Sequence, residues 1–442
     1  MTAHTIFDAS RRKQDRTSLT ESAAGLTESA AGGSLRKSQR GSAALLGPMP
    51  AVISTASPTA LKRPNRFPIG AEARDFMRRF YPDAAPEDWN DWRWQSRHRI
   101  RTLPELERIF TLSEDERAAA SRHTGSLPVG ITPFYASRMG LDDPMEPLRR
   151  THIMVGDEFL RGPGEEDDPL GEDHDMPVPG LVHTYPDKAL FLVTDRCAVY
   201  CRFCTRARVV GSGQIKSDMK SWSRAIEYIR KTPAIRDVLI SGGEPLILSD
   251  ERLEWLLKKL RAIKHVELIR ISTKVPAVLP QRITAAMCHT LQSVAPPLWL
   301  SVHFTHPDEL THEAEEACAR LADAGIPMCS QTVLLKGVND DPETIKRLML
   351  GLLKFRVKPY YLHQCDAIAG SAHFRTRVQK GIDIIRSLHG FTTGYAVPMY
   401  MIDAPGGGGK VPVTPEYVVG RKGGALQLRN YKGRAFTYWD GK

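Results

Sequence analysis

The sequence predicts an α/β protein built on a partial (β/α)6 barrel, preceded by a helical region and a disordered N-terminal tail. After residue 189, short apolar runs alternate with amphipathic stretches, and strands that alternate with helices imply parallel βαβ units. Before residue 60 the chain is rich in Ser, Ala, Thr and Gly, so it cannot bury enough apolar surface to fold. The expected boundaries are 1–60 for the basic tail, 61–180 for the helical region, 181–390 for the barrel and 391–442 for a C-terminal segment.

Composition excludes several classes of protein. Mean hydropathy is −0.32, and no apolar run approaches the ~18 residues of a membrane-spanning helix. Seven cysteines in 442 residues are too few for a disulfide scaffold and indicate a reducing, cytoplasmic environment. Ten basic and four acidic residues within 1–66 supply +6 of the net charge of +10. The remaining chain is nearly balanced in charge, which disfavours a nucleic-acid partner.

The helical region shows three helix patterns before the barrel begins. Apolar residues recur at helical spacing in Ala71–Phe80 and in Leu103–Phe110, and Ser113–Ser121 opens with acidic residues that suit a helix start. The stretch Gly162–Asp175 is acidic and rich in Gly and Pro. We expect it to form a loop over the surface.

Six short apolar runs predict the barrel strands, and the clearest helix between them is Asp250–Ile263, which has leucines on one face. In this architecture the chemistry lies in the loops that follow the carboxyl ends of the strands. The predicted strands are Leu190–Thr194, Val238–Ser241, Val266–Ser272, Leu298–Phe304, Met328–Leu335 and Pro359–Cys365.

Three cysteines, Cys197, Cys201 and Cys204, follow the first of these strands with the spacing C-x3-C-x2-C. Three thiolates this close can bind three irons of a cubane cluster and leave the fourth iron open. A closed zinc site would need a fourth ligand nearby, and three buried cysteines are the other alternative. Arg and Thr flank Cys201 and Cys204, which favours the cluster.

A Gly-Gly-Glu turn, Gly242, Gly243 and Glu244, follows the next strand. Together, the cysteine spacing and this turn resemble the sequence motifs of the radical S-adenosylmethionine (SAM) enzymes. The resemblance implies a radical SAM barrel with a 4Fe–4S cluster, in which the turn meets the methionine amino group of SAM. It also makes His303 and Gln331, near the ends of later strands, expected SAM-binding residues.

Four glycines precede Lys410 late in the chain. Alone, this run is typical of a flexible linker. About four-fifths of the chain, however, resembles the lysine 2,3-aminomutase family, in which the lysine after the glycines forms a Schiff base with pyridoxal phosphate (PLP). Besides the cysteine loop and the glycine run, the segments that carry the resemblance are Arg99–Thr102, Ile131–Tyr135, Pro177–Leu181, Val278–Arg282, Gly337–Asp340 and Gln364–Asp366.

The resemblance implies a role for each of several residues. Lys410 is the expected PLP lysine in the C-terminal segment, with Tyr185 stacked on the PLP ring and Lys188 near its phosphate. Arg206 is expected to bind the substrate carboxylate. Asp366 and Asp403 match the pair that binds the distal ammonium of lysine, and two carboxylates in one pocket favour a cation between them.

The implied reaction moves the α-amino group of a cationic L-amino acid to C3, with L-lysine and β-lysine as the first choice of substrate and product. Arginine stays open as substrate, because a guanidinium also fits two carboxylates. A radical SAM enzyme with different chemistry and a zinc-bearing nucleic-acid-binding protein are the other classes. The expected partners are an electron donor such as flavodoxin or ferredoxin and further copies of the chain, with no membrane or nucleic acid.

Several residues depart from the family pattern. Thr184 and Lys188 stand where two phosphate-binding arginines are expected, His363 replaces a tyrosine, and Phe203 replaces a histidine inside the cysteine motif. Asp341 occupies the position of a zinc cysteine, and the chain ends 32 residues after Lys410, without the cysteine-bearing tail of well-known members. We therefore expect no structural zinc.

Overall fold

The computed structural model describes residues 66–122, 127–292 and 296–441, all within one compact unit, Thr59–Lys442. The predicted tail, 1–60, lies outside the described residues.

A nine-stranded sheet forms the barrel, and its strands neighbour one another in chain order. Strands two to eight are parallel, and an antiparallel strand borders each edge. The strands are β1 (Leu181–Tyr185), β2 (Lys188–Leu192), β3 (Asp237–Ser241), β4 (Leu268–Thr273), β5 (Leu298–His303), β6 (Met328–Leu334), β7 (Lys358–Gln364), β8 (Met399–Ala404) and β9 (Gly409–Pro412).

The six predicted strands correspond to β2 through β7, and the barrel prediction is confirmed. The sequence analysis missed a seventh parallel strand, β8, which pairs with β7. Pro405 and the glycine run follow β8, and both residue types are typical of turns. The structure thus joins the strand before the glycines to the same sheet as the cysteine loop.

The register of the sheet aligns apolar residues across neighbouring strands. Phe191 lies opposite Ile240, Ile240 opposite Ile271, and Ile271 opposite Leu300, and all four side chains are buried. Burying each such side chain contributes about 1.5–3 kcal/mol. This packing fixes where each strand ends, and so where the residues after it lie.

Seven helices connect or follow the barrel strands. The leucines of the Asp250–Arg261 helix face the core, as predicted, and Asp341 caps the Pro342 helix by accepting from Thr344 N at 2.9 Å. The helices are α8 (Met219–Lys231), α9 (Asp250–Arg261), α10 (Val275–Val278), α11 (Ala285–Leu291), α12 (His312–Asp323), α13 (Pro342–Lys354) and α14 (Val378–Leu388).

Among the described residues before the barrel, 66–122 and 127–180, there are seven short helices, and three of them match the predicted ones. A buried ion pair joins the fifth and seventh, because Arg149 donates to both oxygens of Glu116 at 2.9 and 2.7 Å. They are α1 (Ala71–Phe80), α2 (Pro86–Asn90), α3 (Trp92–Arg97), α4 (Leu103–Ile109), α5 (Glu114–Arg122), α6 (Pro133–Ala136) and α7 (Pro147–Arg150).

A separate antiparallel sheet ends the chain, with strands β10 (Val418–Lys422), β11 (Ala425–Arg429) and β12 (Ala435–Trp439). Its two outer strands are exposed along their whole length. Within the described ranges, no helix is long and apolar enough to cross a membrane. Single 3₁₀ turns lie at Gly156–Phe159, Pro245–Ile247, Pro280–Arg282, Pro307–Glu309, Ala372–Phe374 and Gly394–Ala396.

Candidate active site

A cavity of about 190 Å³ opens where the parallel strands end at their carboxyl sides. The loop after β2, the turn after β3 and the residues that end or follow β4, β5 and β7 all line it. This is the edge of the sheet at which the sequence placed the chemistry. Among the lining residues are Cys197, Cys201, Cys204, Arg206, Gly242, Gly243, Glu244, Ser272, Lys274, His303 and Asp366.

The three predicted cysteines lie together in the wall of this cavity. Their loop is fastened from outside the barrel, because Arg99 Nη1 donates to the Cys197 carbonyl at 2.5 Å and Arg202 forms an ion pair with Glu158. The Sγ of Cys201 lies 3.5 Å from Nε2 of His152. The loop is therefore held in place by residues that are not themselves cysteines.

The surroundings of the three thiols favour their neutral form. Burial raises the pKa of Cys201 to about 12 and also raises the pKa values of Cys197 and Cys204, whereas a coordinating metal removes the proton outright. Among the described residues, no three His, Cys, Asp or Glu side chains lie close enough together to hold a single metal ion. Three sulfurs spread around one cavity suit a cluster, whose separate irons each take one thiolate.

Gly242 and Gly243 permit the turn after β3 to pack against the backbone that leads into the cysteine loop. Gly242 has φ +126°, and a Cβ on it would collide with the Thr194 carbonyl, as one on Gly243 would with the Arg196 backbone. The amide of Gly243 donates to Thr194 O at 2.6 Å. The glycines thus have a structural use besides the close approach to a ligand that the sequence indicated.

Glu244 is a buried residue of the cavity lining, and both of its carboxylate oxygens accept hydrogen bonds. It accepts from Leu246 N at 3.0 Å, Thr273 Oγ1 at 2.8 Å and Lys274 N at 2.8 Å. Burial raises its pKa to about 7 despite these hydrogen bonds. The side chain therefore ties the turn after β3 to the end of β4, and its contact with a SAM ammonium stays a prediction.

His303 and Gln331 lie side by side as partners in the β5–β6 register. Nε2 of His303 lies 2.7 Å from Ser272 Oγ, and burial, followed by the charge of Lys274, lowers the pKa of His303 to about 3. The imidazole is thus neutral at physiological pH. Gln331 is not among the described residues that line the cavity.

Lys274 is a cavity residue that the sequence analysis missed. Its Nζ donates to Glu309 Oε1 at 2.6 Å and to Thr305 Oγ1 at 3.1 Å. It directly follows β4, so the rule that site residues follow strand ends would have found it.

Lys410 lies on β9 opposite Asp403 of β8. Its Nζ donates to both oxygens of Asp403, at 2.6 and 2.8 Å, and its amide donates to Tyr185 Oη at 2.8 Å. Gly409 has φ +77°, and a Cβ there would lie 3.1 Å from Tyr185 Oη. Tyr185 belongs to β1, the other edge of the sheet, so this contact bridges the gap of the barrel at Lys410.

Lys188 also belongs to this part of the site. Its Nζ lies 4.2 Å from the ring centroid of Tyr185, a distance at which the cation is attracted to the ring face. The structure therefore brings together Lys410, Tyr185 and Lys188, the three residues predicted to bind PLP. Thr184 is half-buried beside them on β1.

Asp366, Asp403 and His363 lie together beside Lys410. Burial, and then the charge of Asp403, raises the pKa of Asp366. Burial would raise the pKa of Asp403 too, but hydrogen bonds from His363 and Lys410 together with the Lys410 charge lower it to about 2. Nδ1 of His363 lies 3.2 Å from Asp403 Oδ2. Since Asp366 also lines the cavity, it connects the cysteine side of the site to the Lys410 side.

Arg206 forms an ion pair with Glu172 that was not predicted from the sequence. Its Nε lies 3.0 Å from both oxygens of Glu172, and its Nη2 lies 2.6 Å from Oε1. The segment Gly162–Asp175 is irregular, as expected for a loop, but it also reaches into the protein, since Glu165 and Glu172 are buried. We call this segment the acidic strap.

The acidic strap crosses the site and touches three of its parts. Asp168 and Asp173 pair with Arg208 at 3.1 and 2.9 Å, Glu166 forms a backbone bridge with the segment after β7, and Pro169 O accepts from Gly406 N at 2.8 Å. The strap thus joins the end of the cysteine loop to the glycine run. Composition alone could not reveal this, because each contact depends on a distant residue.

Comparison with known proteins agrees with this geometry. The family model described as Lysine-2,3-aminomutase matches residues 385–442, and the one described as Radical SAM superfamily matches residues 191–349. Radical SAM membership implies a 4Fe–4S cluster and SAM. The two matched regions contain Lys410 and the cysteine loop, respectively.

Individual relatives are similar over most of their length. The L-lysine 2,3-aminomutase of Acetoanaerobium sticklandii is 48% identical over 81% of this chain and 87% of its own. The L-lysine 2,3-aminomutase of Clostridium subterminale is 48% identical over 81% of this chain and 86% of its own. The glutamate 2,3-aminomutase of Clostridioides difficile is 38% identical over 80% of this chain and 83% of its own. The resemblance seen in the sequence is confirmed, and the chain belongs to the lysine 2,3-aminomutase family of radical SAM enzymes.

Proposed function

We propose that the protein is an isomerase that moves the α-amino group of L-lysine to C3 and so produces β-lysine. The observation that carries this proposal is the placement of Asp366 and Asp403 beside Lys410, at the edge of the cavity that the three cysteines line. Two carboxylates at one end of a site select a substrate with a positively charged side chain. Such a pair would repel glutamate.

Three groups would complete the site, and its residues fit them. A 4Fe–4S cluster with SAM supplies a radical that removes a hydrogen atom from the substrate, and PLP supplies an electron-accepting ring for the migrating nitrogen. Cys197, Cys201 and Cys204 would hold the cluster. The turn Gly242–Glu244, with His303 and Gln331, would hold SAM.

PLP would be held at the bridge between the two edges of the barrel. Lys410 offers a primary amine with about one third of its side chain exposed, Tyr185 offers a ring, and Lys188 offers a cation for the phosphate. Lys410 Nζ donates to Asp403 here, so an amine engaged by PLP would have to leave that carboxylate. Asp403 would then be available, together with Asp366, to the distal cation of the substrate.

At the other end of the substrate, Arg206 would bind the α-carboxylate. Glu172 already occupies its Nε and Nη2, and Nη1 has no hydrogen-bond partner among the described residues. We assign that remaining N–H edge to the substrate carboxylate. The acidic strap would then fix the orientation of the guanidinium while the substrate is bound.

The remaining parts of the proposal concern partners and location. Reduction of the cluster requires an external one-electron donor of the flavodoxin or ferredoxin type. All seven cysteines are free thiols, which supports a reducing cytoplasm. The exposed aromatic residues of the C-terminal sheet, Phe436, Tyr438 and Trp439, support a homo-oligomer.

A substrate panel tests the proposal. Reconstituted enzyme with PLP, SAM and a reductant is incubated with lysine, arginine, glutamate and norleucine, and products are identified by mass spectrometry. We expect a β-amino acid from lysine. Arginine as the better substrate would move the assignment to arginine 2,3-aminomutase, whereas turnover of glutamate or norleucine above lysine would contradict selection of a cation.

A further inference from the structure

Lys188 is a single cation for a phosphate group that carries close to two negative charges at pH 7. Its Nζ lies 4.2 Å from the ring centroid of Tyr185. Thr184, which stands where a second cation is expected, has no charge. A hydrogen bond from the Thr184 side chain lowers the pKa of Asp175, so the hydroxyl already has a partner. A second cation for the phosphate then has to come from another strand.

Arg270 is a cation on the inner face of the barrel. It lies on β4 two residues before Ser272, which lines the cavity. Because alternate residues of a strand share a face, the Arg270 side chain points to the interior as Ser272 does, about 7 Å nearer the amino end of the strand. Arg270 forms an ion pair with Asp237 of β3, and Asp237 is the register partner of Lys188 on β2. Lys188, Asp237 and Arg270 thus form a row across three neighbouring strands.

Tyr361 connects this row to the residues that would hold the PLP ring. Burial raises the pKa of Tyr361, the charge of Arg270 lowers it, and Tyr185 interacts with the same phenol. Tyr185 Oη in turn accepts from the Lys410 amide at 2.8 Å. PLP carries its aldehyde and its phosphate arm on adjacent ring carbons, so a ring stacked on Tyr185 keeps both groups in this part of the barrel.

Arg270 has one edge of its guanidinium left for a ligand. Its Nε lies 2.9 Å from Asp237 Oδ1 and its Nη2 lies 2.8 Å from Oδ2, whereas Nη1 has no hydrogen-bond partner within the described part of the chain. The side chain is 22% exposed, so a ligand can reach it. A guanidinium whose orientation is fixed by one carboxylate presents its other N–H groups to a phosphate oxygen. The Asp237 carboxylate itself repels an anion placed there.

Resting on the proposed function, we propose that Arg270 binds the phosphate of PLP together with Lys188. Arg270 supplies the second cation that Thr184 lacks. Asp237 fixes the orientation of the guanidinium but opposes the phosphate by its charge. The row on β2, β3 and β4 is thereby the phosphate end of the cofactor site.

Comparing PLP with pyridoxal tests this assignment, because pyridoxal keeps the ring and the aldehyde but lacks the phosphate. Protein with a reconstituted cluster and no PLP is dialysed to equilibrium against each compound, and the two dissociation constants are measured. The variants are Arg270→Gln, Arg270→Lys and Asp237→Asn. Arg236→Gln is the matched control, since Arg236 forms an exposed ion pair with Glu267.

Arg270→Gln should weaken PLP binding about ten- to a hundredfold, the effect of losing one hydrogen bond to a charged group, and should leave pyridoxal binding unchanged. Arg270→Lys keeps a cation and should recover most of the PLP affinity. Asp237→Asn should bind PLP more tightly than the unmodified protein does, because it removes the repelling carboxylate. Arg236→Gln should change neither dissociation constant.

An equal loss of PLP and pyridoxal affinity in Arg270→Gln would overturn the inference, because the arginine would then only maintain the fold. Unchanged PLP affinity in Arg270→Gln would do the same. If that variant does not fold, Asp237→Asn decides, and weaker PLP binding by it contradicts the inference. These results leave the proposed function intact as long as the unmodified protein binds PLP and converts lysine. Failure of the unmodified protein to bind PLP would overturn both.

Discussion

At the scale of single residues, the site depends on charged groups that share partners. Asp403 accepts from Lys410 and from His363, and Arg206 is held by Glu172. Each pair is at least partly buried, so removing one member leaves the other with an uncompensated charge.

Lys410→Ala should abolish covalent attachment of PLP without affecting the cluster. Borohydride reduction followed by peptide mapping should find PLP on Lys410 in the unmodified protein and on no peptide of the variant, while iron content stays the same. Lys188→Ala serves as the control, because it should weaken PLP binding yet keep the covalent bond. An adduct on a different lysine would contradict the role of Lys410.

Asp366→Asn should reduce kcat/KM for lysine by roughly one and a half to nearly four decades, because losing a charge-assisted partner of a desolvated cation costs about 2–5 kcal/mol. Burial and Asp403 raise the pKa of Asp366 in the folded protein, so its ionised form disfavours folding at pH values above its unfolded pKa. The variant without cofactors should therefore have an unchanged or higher Tm. Unchanged lysine kinetics would refute the role.

Glu172→Gln should raise KM for the substrate about tenfold, with a smaller change in kcat, since a neutral amide holds the Arg206 guanidinium less firmly. Glu166→Gln on the same acidic strap is the matched control. The Glu166 side chain is exposed, and the hydrogen bonds of this residue with the described chain are made by its backbone. Steady-state kinetics of the two variants give the comparison. Equal KM values would show that Glu172 does not position Arg206.

At the scale of elements, the carboxyl ends of the strands determine which residues meet. β3, β4, β5 and β6 each place at least one residue in the cavity, and the segments after β2 and β7 place others. The glycine turn after β3 is hydrogen-bonded to the backbone that leads into the cysteine loop after β2. The tight packing at Gly243 makes this junction sensitive to a single methyl group.

Gly243→Ala should lower the iron content of the reconstituted protein severalfold, because the added Cβ meets the Arg196 backbone and displaces the start of the cysteine loop. Gly394→Ala is the control, since a Cβ at Gly394 meets no atom within 4 Å. Iron and sulfide analysis after identical reconstitution provides the readout. A variant with full cluster content would mean that the turn and the loop are not coupled.

Many of the barrel strands and helices were predictable from the sequence. The strands that follow the 2-residue periodicity or a buried apolar run were found, and so were helices with a clear apolar face such as α9. β8 was missed because its neighbours in the sequence are turn residues, and only pairing with β7 makes it a strand. Strand pairing is a tertiary property that local patterns do not contain.

At the scale of the whole molecule, the site is assembled from distant parts of the chain. The spacing of the cysteines indicated a cluster site, and the resemblance to the lysine 2,3-aminomutase family indicated Lys410 and the aspartate pair. The sequence did not reveal Glu172 or Lys274, whose partners Arg206 and Glu309 lie 34 and 35 residues away. The closure of the barrel between β1 and β9 through Tyr185 and Lys410 likewise depends on the completed fold.

The most direct test of the central claim follows the nitrogen itself. Reconstituted enzyme with PLP, SAM and reductant is given L-lysine that carries ¹⁵N at the α-amino position, mixed with ¹⁴N lysine whose six carbons are ¹³C. We predict β-lysine with ¹⁵N on C3 of the ¹²C molecules only, and far less of this product from Asp366→Asn at the same enzyme concentration. Transfer of ¹⁵N to the ¹³C chain, or no β-lysine at all from the unmodified protein, would contradict this prediction.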